Sequence, residues 1–398
     1  MTTTIGPRSF GSSVEAEQAT EKRRRSFGLT QPMGERSLNF VVLLLLVLAL
    51  NLVGLVMVLS ASMITSLQEN GNTWHYFQRQ GAWAAIGMVA LLIMMRIDYR
   101  VLARIAPLIL GATVIALLAV LVPGVGVGAN GSTRWLGFGS FTIQPSEFAK
   151  LAVALFCASL LASRGHRVVD PRLSLRPTLV VVLPVVALVL VQPSQGTAMI
   201  TLAVAMITLF VAGVPLGPLA VRSAIFAGVA AVLALGVGYR RERVLAVLDP
   251  WADPLNSGWQ NIQSLVGIAS GGVTGVGLGA GRSKWGFLPF AHTDFIFSVI
   301  AEELGLIGAV TIIVMFVILA IFGIRTAASA PDRFGLLLAS AITSWISLQA
   351  LLNIGAVVGV LPISGVTLPF VSVGGSSLVV TMIAMGIVLN IARQGRTS

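Results

Sequence analysis

Three groups of residues combine type and spacing in a way that could do chemistry. The first is a carboxylate, Asp294, in His292-Thr293-Asp294-Phe295-Ile296-Phe297, where a long polar stretch gives way to an apolar one. At a water–lipid boundary, partial desolvation raises a carboxyl pKa and a helix N-terminus lowers it, so such a group is a candidate general base. The competing reading is a helix cap, the commoner job of Asp at such a position. The second group is Glu147 and Lys150, three residues apart in Gln144-Pro145-Ser146-Glu147-Phe148-Ala149-Lys150 and hence on one helix face. Pro and an acid in a first turn are ordinary start signals. The pair is either a structural ion pair or the lining of a wet cavity. The third group runs Ser270-Gly271-Gly272, then Gly275, Gly277, Gly279 and Gly281, with Arg282 and Lys284 directly after. Glycines let backbone N–H groups approach a phosphate, and two cations would offset its charge. The same glycines suit a hinge or a close-packed re-entrant turn equally well. The spacing is not that of a nucleotide-binding loop, so the ligand this group would suit is a diphosphate on a lipid carrier.

Weaker signals surround these groups. Residues Leu248 to Ile268 mix Trp251 and Trp259 with Gln260, Asn261 and Gln263. Aromatic faces beside amides suit sugar rings. The apolar positions Trp259, Ile262, Leu265 and Val266 also fall at helical spacing, as in a helix lying in the interface. Gln192-Pro193-Ser194 reads as a tight turn between two apolar blocks. Glu302 and Glu303 lie about two turns inside an apolar segment, so at least one faces polar company or a channel. Leu361 to Phe370 is a loop with two prolines, and Gly374-Gly375-Ser376-Ser377 then opens the last apolar block, where small residues permit close helix approach.

The elements that must position these groups are membrane spans. A chain of 398 residues that is 56% hydrophobic and 10% charged is a polytopic membrane protein. Apolar blocks near 39–60, 77–95, 104–122, 145–163, 178–193, 196–213, 222–239, 295–322, 335–355 and 374–392 predict ten transmembrane helices in an all-α fold. Domain limits follow: a disordered cytoplasmic tail over 1–36, spans one to seven within 37–239, and a large external loop over 240–294. Spans eight to ten then lie within 295–392, with a short cytoplasmic end at 393–398. The net charge of +11 does not indicate nucleic acid, because the cations cluster in short loops between spans. Arg96, Arg100 and Arg104, then Arg164, Arg167, Arg172 and Arg176, then Arg222, Arg325, Arg333, Arg393 and Arg396 share one side with the tail. That bias puts both termini in the cytoplasm and the long loop outside, with Arg79 and Arg134 the main exceptions in short external loops. The external loop is itself basic, carrying Arg240, Arg241 and Arg243, which suits an anionic substrate. Cys157 is the single cysteine, so there is no disulfide framework. His75, His166 and His292 are too scattered to suggest a transition-metal site.

Taken together, Gln144-Pro145-Ser146-Glu147 with Lys150, Asp249-Pro250 with Asp253-Pro254, Gln263-Ser264-Leu265, Ser270-Gly271-Gly272, Leu288-Pro289 through Phe297, Glu302-Glu303, and the run from Leu361 to Ser377 resemble the SEDS family (FtsW, RodA and SpoVE) over nearly all of the chain after the tail. Gly275 to Gly279 with Arg282-Ser283-Lys284-Trp285 looks more like the FtsW branch than the RodA branch. The resemblance implies a peptidoglycan glycosyltransferase that polymerises lipid II at the outer face of the bacterial cytoplasmic membrane, in the FtsW branch at the division septum. It also implies a class B penicillin-binding protein and other division proteins as partners. Asp294 then matches the family's catalytic acid, and Glu147 and Lys150 line the central cavity. Arg243, Arg282 and Lys284 would meet the diphosphate, and Gln260, His292 and Ser376 would join Ser270, Gly271 and Gly272 around the substrate. The resemblance fixes no cofactor, and a divalent cation (Mg or Mn) is the one candidate. Two departures stand out: Phe290 where the family has Glu, and Ser194 where it has Asp. The chemistry expected is inverting displacement of undecaprenyl diphosphate by a sugar 4-hydroxyl, with Asp294 as base. A lipid II flippase and a non-catalytic scaffold for the penicillin-binding protein are the alternatives. The polar groups crowd one end of the spans rather than their whole depth, which ranks the flippase second.

Overall fold

The computed structural model describes residues 37–129, 132–138, 141–236 and 238–395. The tail expected over 1–36 and the end over 396–398, with Arg396, lie outside the described residues. In chain order the helices are α1 (Leu38–Asn70), α2 (His75–Arg96), α3 (Tyr99–Leu121), α4 (Pro145–Arg164), α5 (Leu175–Val191), α6 (Gln195–Val211), α7 (Leu216–Gly236), α8 (Gly238–Leu248), α9 (Trp259–Gly271), α10 (Ile296–Ala328), α11 (Arg333–Val357) and α12 (Gly375–Gln394). Each apolar block read from the sequence coincides with one helix. Six of them, α1, α3, α4, α10, α11 and α12, are long and apolar enough to cross a membrane, and α5, α6 and α7 are shorter apolar helices. The protein is a predominantly helical, polytopic membrane protein.

Burial follows a membrane pattern. The α12 helix is the most enclosed, packing along α2 and touching α11, while α10 packs between α1 and α11. α7 is apolar yet outward-facing, with Val232 70% exposed and Leu216 65% exposed, the signature of a lipid-facing surface.

Most helices run longer than their apolar blocks, α1 and α10 by the most. α1 continues to Asn70, because Ser60, Ser62 and Ser66 are buried among other helices and cost nothing in lipid. At 33 residues it is about 50 Å long, well beyond a hydrocarbon core of roughly 30 Å. α10 extends to Ala328 but is broken at Gly305, whose φ of 68° and ψ of −166° are not helical. The freed backbone groups are taken up by the glycine stretch. Val276 and Gly277 donate their N–H groups to the Glu302 and Glu303 carbonyls at 3.0 and 3.1 Å, and Leu306 and Ile307 donate back to Gly272 and Val273 at 2.9 and 3.2 Å. Only glycine fits such contact: a Cβ on Gly271 would lie 2.0 Å from the Ala301 carbonyl oxygen, and one on Gly275 2.1 Å from that of Glu303.

The segment between α3 and α4 departs from the all-α expectation. It forms an antiparallel sheet of β1 (Gly126–Ala129), β2 (Ser132–Phe138) and β3 (Phe141–Ile143), in that order. Register Val127↔Trp135 and Leu136↔Ile143 fixes Arg134 on the middle strand.

Candidate active site

A cavity of about 750 Å³ opens at the end of the bundle that carries the sheet. Asp294 lines it just before α10, Glu147 at the start of α4, Arg243 on α8, Gln260 on α9 and Ser376 on α12. Arg79 of α2 and Arg134 of β2 line it too. Three guanidinium-bearing residues therefore face one space with two carboxylates.

Asp294 is set by a turn built on Phe290, whose φ of 59° is left-handed. The Thr293 and Phe295 N–H groups both donate to the Phe290 carbonyl, at 3.0 and 3.3 Å. The cap residue of α10 is Phe295, with no side-chain cap hydrogen bond, so Asp294 is not spent on capping. Burial pushes its carboxyl up to about 6, with Arg243 and then Arg134 pulling the other way. A carboxyl there is ionised at neutral pH yet basic enough to accept a proton. The arginines are themselves anchored: Arg134 donates to the Gln192 and Pro193 carbonyls at 2.9 and 2.7 Å, and Arg243 to that of Ile363 at 3.2 Å. The Gln192-Pro193-Ser194 turn thus serves as a seat for Arg134. Ser194 stands at the N-terminus of α6 and donates to Thr197 Oγ1 at 2.9 Å rather than to the backbone.

Glu147 and Lys150 pair at 2.9 Å. Lys150 Nζ is buried, donates to Gln349 Oε1 at 2.8 Å and lies 4.9 Å from the Trp345 ring centre. Lys150 is absent from the cavity wall; it holds Glu147, which is on it. Gln349 passes the restraint on, donating from Nε2 to the Thr367 carbonyl at 3.0 Å. Ser376 Oγ accepts from the Gln144 N–H at 3.0 Å and donates to the Thr142 carbonyl at 3.3 Å, joining α12 to β3 and the entry to α4.

The glycine stretch goes elsewhere. Glu302 accepts from the Arg282 and Ser283 N–H groups at 2.6 and 3.1 Å. Glu303 pairs with Lys284 at 3.0 Å and takes the Ser60 hydroxyl at 2.7 Å. Lys284 also donates to the Gly279 carbonyl at 2.6 Å. Lys284 is buried in this clamp and Arg282 is exposed, and neither lines the cavity. Ser270 donates to its own helix at Gly267, 2.8 Å away, and Gly271 and Gly272 pack against α10. His292 also lies off the cavity wall: its ring centre is 5.0 Å from that of Tyr76, and its carbonyl accepts from Val373 at 3.0 Å. Burial holds its imidazole below the ordinary value, hence neutral at pH 7. The cations that act on Asp294 are thus Arg243 and Arg134, with Arg79 on the same cavity wall. The last two were visible in the sequence only as exceptions to the charge bias.

The donor set does not suit a divalent cation held by protein alone. Among the described residues no three His, Cys, Asp or Glu side chains cluster. Asp294 and Glu147 share the cavity wall with three arginines and with the apolar Phe290.

The sequence profile of the cell cycle proteins FtsW/RodA/SpoVE matches residues 40–397. A probable peptidoglycan glycosyltransferase FtsW of Geobacter metallireducens is 42% identical over 359 residues, 88% of this chain and 94% of that one. Stage V sporulation protein E of Bacillus subtilis is 38% identical over 356 residues, covering 89% and 97%. Among solved structures, a chain of a peptidoglycan synthase complex described as coordinating polymerization and crosslinking superposes with a TM-score of 0.73 at 32% identity, covering 88% of this chain and 97% of that one. The rod shape determining protein RodA of Thermus thermophilus does so with a TM-score of 0.67 at 28% identity, covering 89% and 97%. On this evidence the chain belongs to the FtsW/RodA/SpoVE family of cell cycle proteins.

Proposed function

We propose that Asp294 is the general base of glycan polymerisation in this chain, a peptidoglycan glycosyltransferase that joins lipid II units. The observation carrying this reading is one cavity that holds a carboxyl raised to about 6 together with Arg243, Arg134 and Arg79. The acceptor's sugar 4-hydroxyl attacks the anomeric carbon of the donor while Asp294 takes its proton. The bond to the carrier breaks, and undecaprenyl diphosphate leaves with the electron pair. Arg243 and Arg134 would offset the charge that gathers on that diphosphate, the role that preorganised donors fill in a desolvated site. Direct displacement inverts the anomeric centre, so an α-linked donor gives a β-linked glycan.

The ten helices that match the apolar blocks suit ten crossings, with both termini cytoplasmic and the 240–294 segment outside. The cavity then opens toward the outer leaflet, where a lipid-linked donor lies. A septal role follows the FtsW relatives, and a class B penicillin-binding protein is the partner that would crosslink the product. The test is polymerisation of labelled lipid II by the purified full-length chain, with and without such a partner. Asp294→Ala is expected to lower the rate by about 10²–10⁴-fold, and wild-type polymerisation by this variant would end the proposal. A liposome flipping assay separates the transporter reading, which predicts lipid II translocation that depends on Asp294.

A further inference from the structure

Two amides one helical turn apart on α11 face the same loop. Gln349 takes the Thr367 carbonyl, and Asn353 takes the Val366 carbonyl at 2.7 Å. The Asn353 Nδ2 group also donates to the main-chain carbonyl of Asp294 at 2.8 Å. Asn353 is 2% exposed. Its two carbonyl acceptors fix which way the amide faces, since turning it over would set oxygen against oxygen. The other end of the amide, Oδ1, is buried with no hydrogen-bond partner. Such an atom is costly to leave unsatisfied. Beside it lies a cavity of about 10 Å³, bordered by Asp294, Asn353, Ser364 and Gly365. That is close to the smallest space that takes one water, and Asp294, Asn353 and Ser364 supply polar side chains in a wall otherwise made by Phe295, Ala356, Val357, Ile363, Gly365 and Val366.

We propose that Asn353 is a positioning residue for Asp294: its amide nitrogen ties the main chain of Asp294 to the 361–370 loop, and its oxygen holds one water against the Asp294 carboxyl. The water donates one hydrogen to Asn353 Oδ1 and the other to the carboxylate, which holds that carboxylate at the cavity edge and solvates its ionised form. This rests on Asp294 being the base. Few other groups compete for the role. Arg243 of α8 and Arg134 of β2 act on Asp294. Glu147 of α4 with Arg79 and Tyr76 of α2 line the same large cavity, and His292 is two residues away. Beyond Arg333, which opens α11 and donates to the Ala212 carbonyl, α11 and the loop after it add no ionisable side chain, since 334–392 contains no charged residue, His, Tyr or Cys.

The experiment is the pH dependence of lipid II polymerisation by full-length Asn353→Leu and Asn353→Ser, with Asp294→Asn in parallel. Leu fills the site with apolar surface and excludes the water, so the acid limb of kcat/KM is expected to move up by about one pH unit. The plateau kcat is expected to fall by about tenfold or more, with KM for lipid II within a few-fold of wild type. Ser leaves a hydroxyl and room for water, and should return the limb toward its wild-type position. A purely structural role would reduce folded protein, read by thermal midpoint, and leave the limb in place. Folded Leu and Ser variants with the wild-type limb overturn the proposal whatever Asp294→Asn does. An active Asp294→Asn overturns the base itself. If the Leu variant is not recovered, Asn353→Ala against Asn353→Ser gives the same comparison, differing by one hydroxyl, and coincident limbs for that pair overturn the proposal.

Discussion

Replacing Arg243 with Gln removes the cation that most strongly opposes the burial of Asp294, and two separable effects follow. With the carboxyl at about 6, Asp294 is about half ionised at pH 6 and nearly fully ionised above pH 7.5. An opposite charge close to a carboxyl lowers its pKa by about one unit or more, so losing Arg243 raises Asp294 toward about 7. At pH 6 the ionised fraction falls to about a tenth, a drop of about fivefold, while at pH 8 it barely changes. The second effect does not depend on pH. A departing diphosphate that loses one well-placed donor costs about 10²–10³ in rate, so the plateau falls by that factor. The assay is initial-rate polymerisation of labelled lipid II from pH 5 to 9. Arg243→Lys is the control for the Ile363 carbonyl contact, which a shorter ammonium would not reproduce. It keeps the charge and should keep the limb near its original place. A Gln variant that folds, yet matches wild type in both limb and plateau, would refute the assignment of Arg243 to this site.

The glycine clamp makes different predictions. Glu303→Gln leaves the buried Lys284 ammonium without its carboxylate, and is expected to cost about 3–5 kcal/mol, read as a large fall in thermal midpoint. The double variant Glu303→Met with Lys284→Met should recover most of that and polymerise within about tenfold of wild type, because neither side chain lines the cavity. A folded double variant slowed a hundredfold would return Lys284 to the leaving group. Gly271→Ala places a methyl 2.0 Å from the Ala301 carbonyl oxygen and should abolish accumulation of folded protein in the membrane. Asp294→Asn should raise the thermal midpoint at pH 8. A folded-state carboxyl raised from 3.8 to about 6 makes ionisation costlier in the fold by up to about 3 kcal/mol. That penalty is absent below the unfolded value, grows as pH rises between the two, and is full above about 6, so the gain should vanish in acid.

Much of the frame was legible in the sequence because hydrocarbon imposes so blunt a rule. Each apolar block became a helix, and Glu147 with Lys150 had to meet on one face because they are three apart. Asp294 was legible as a candidate from its place at a boundary, though only the fold shows that Phe295 caps α10 and leaves the carboxyl uncommitted. What failed was the choice of cations. Arg282 and Lys284 adjoin the glycines in sequence, but Gly305 breaks α10 and its freed backbone groups draw the glycine stretch in, so Glu303 consumes Lys284. Arg134 sits 160 positions before Asp294 and reaches it through a small sheet that hydropathy does not reveal. Its trace was an arginine on the wrong side of a charge bias. Gln349 and Asn353 left a trace too, as amides at helical spacing inside an apolar block. A length rule also misplaced the end of α1, because buried serines extend a helix where a hydropathy window sees polarity.

The most direct measurement is the pH–rate profile of lipid II polymerisation for the wild-type chain and Asp294→Asn, purified in the same way. The wild-type rate should climb through an acid limb near pH 6 to a plateau, and the Asn variant should lie about 10²–10⁴-fold below it at every pH. An Asn variant that polymerises at the wild-type rate, or a wild-type profile that stays flat down to pH 4, would contradict a carboxylate base at Asp294.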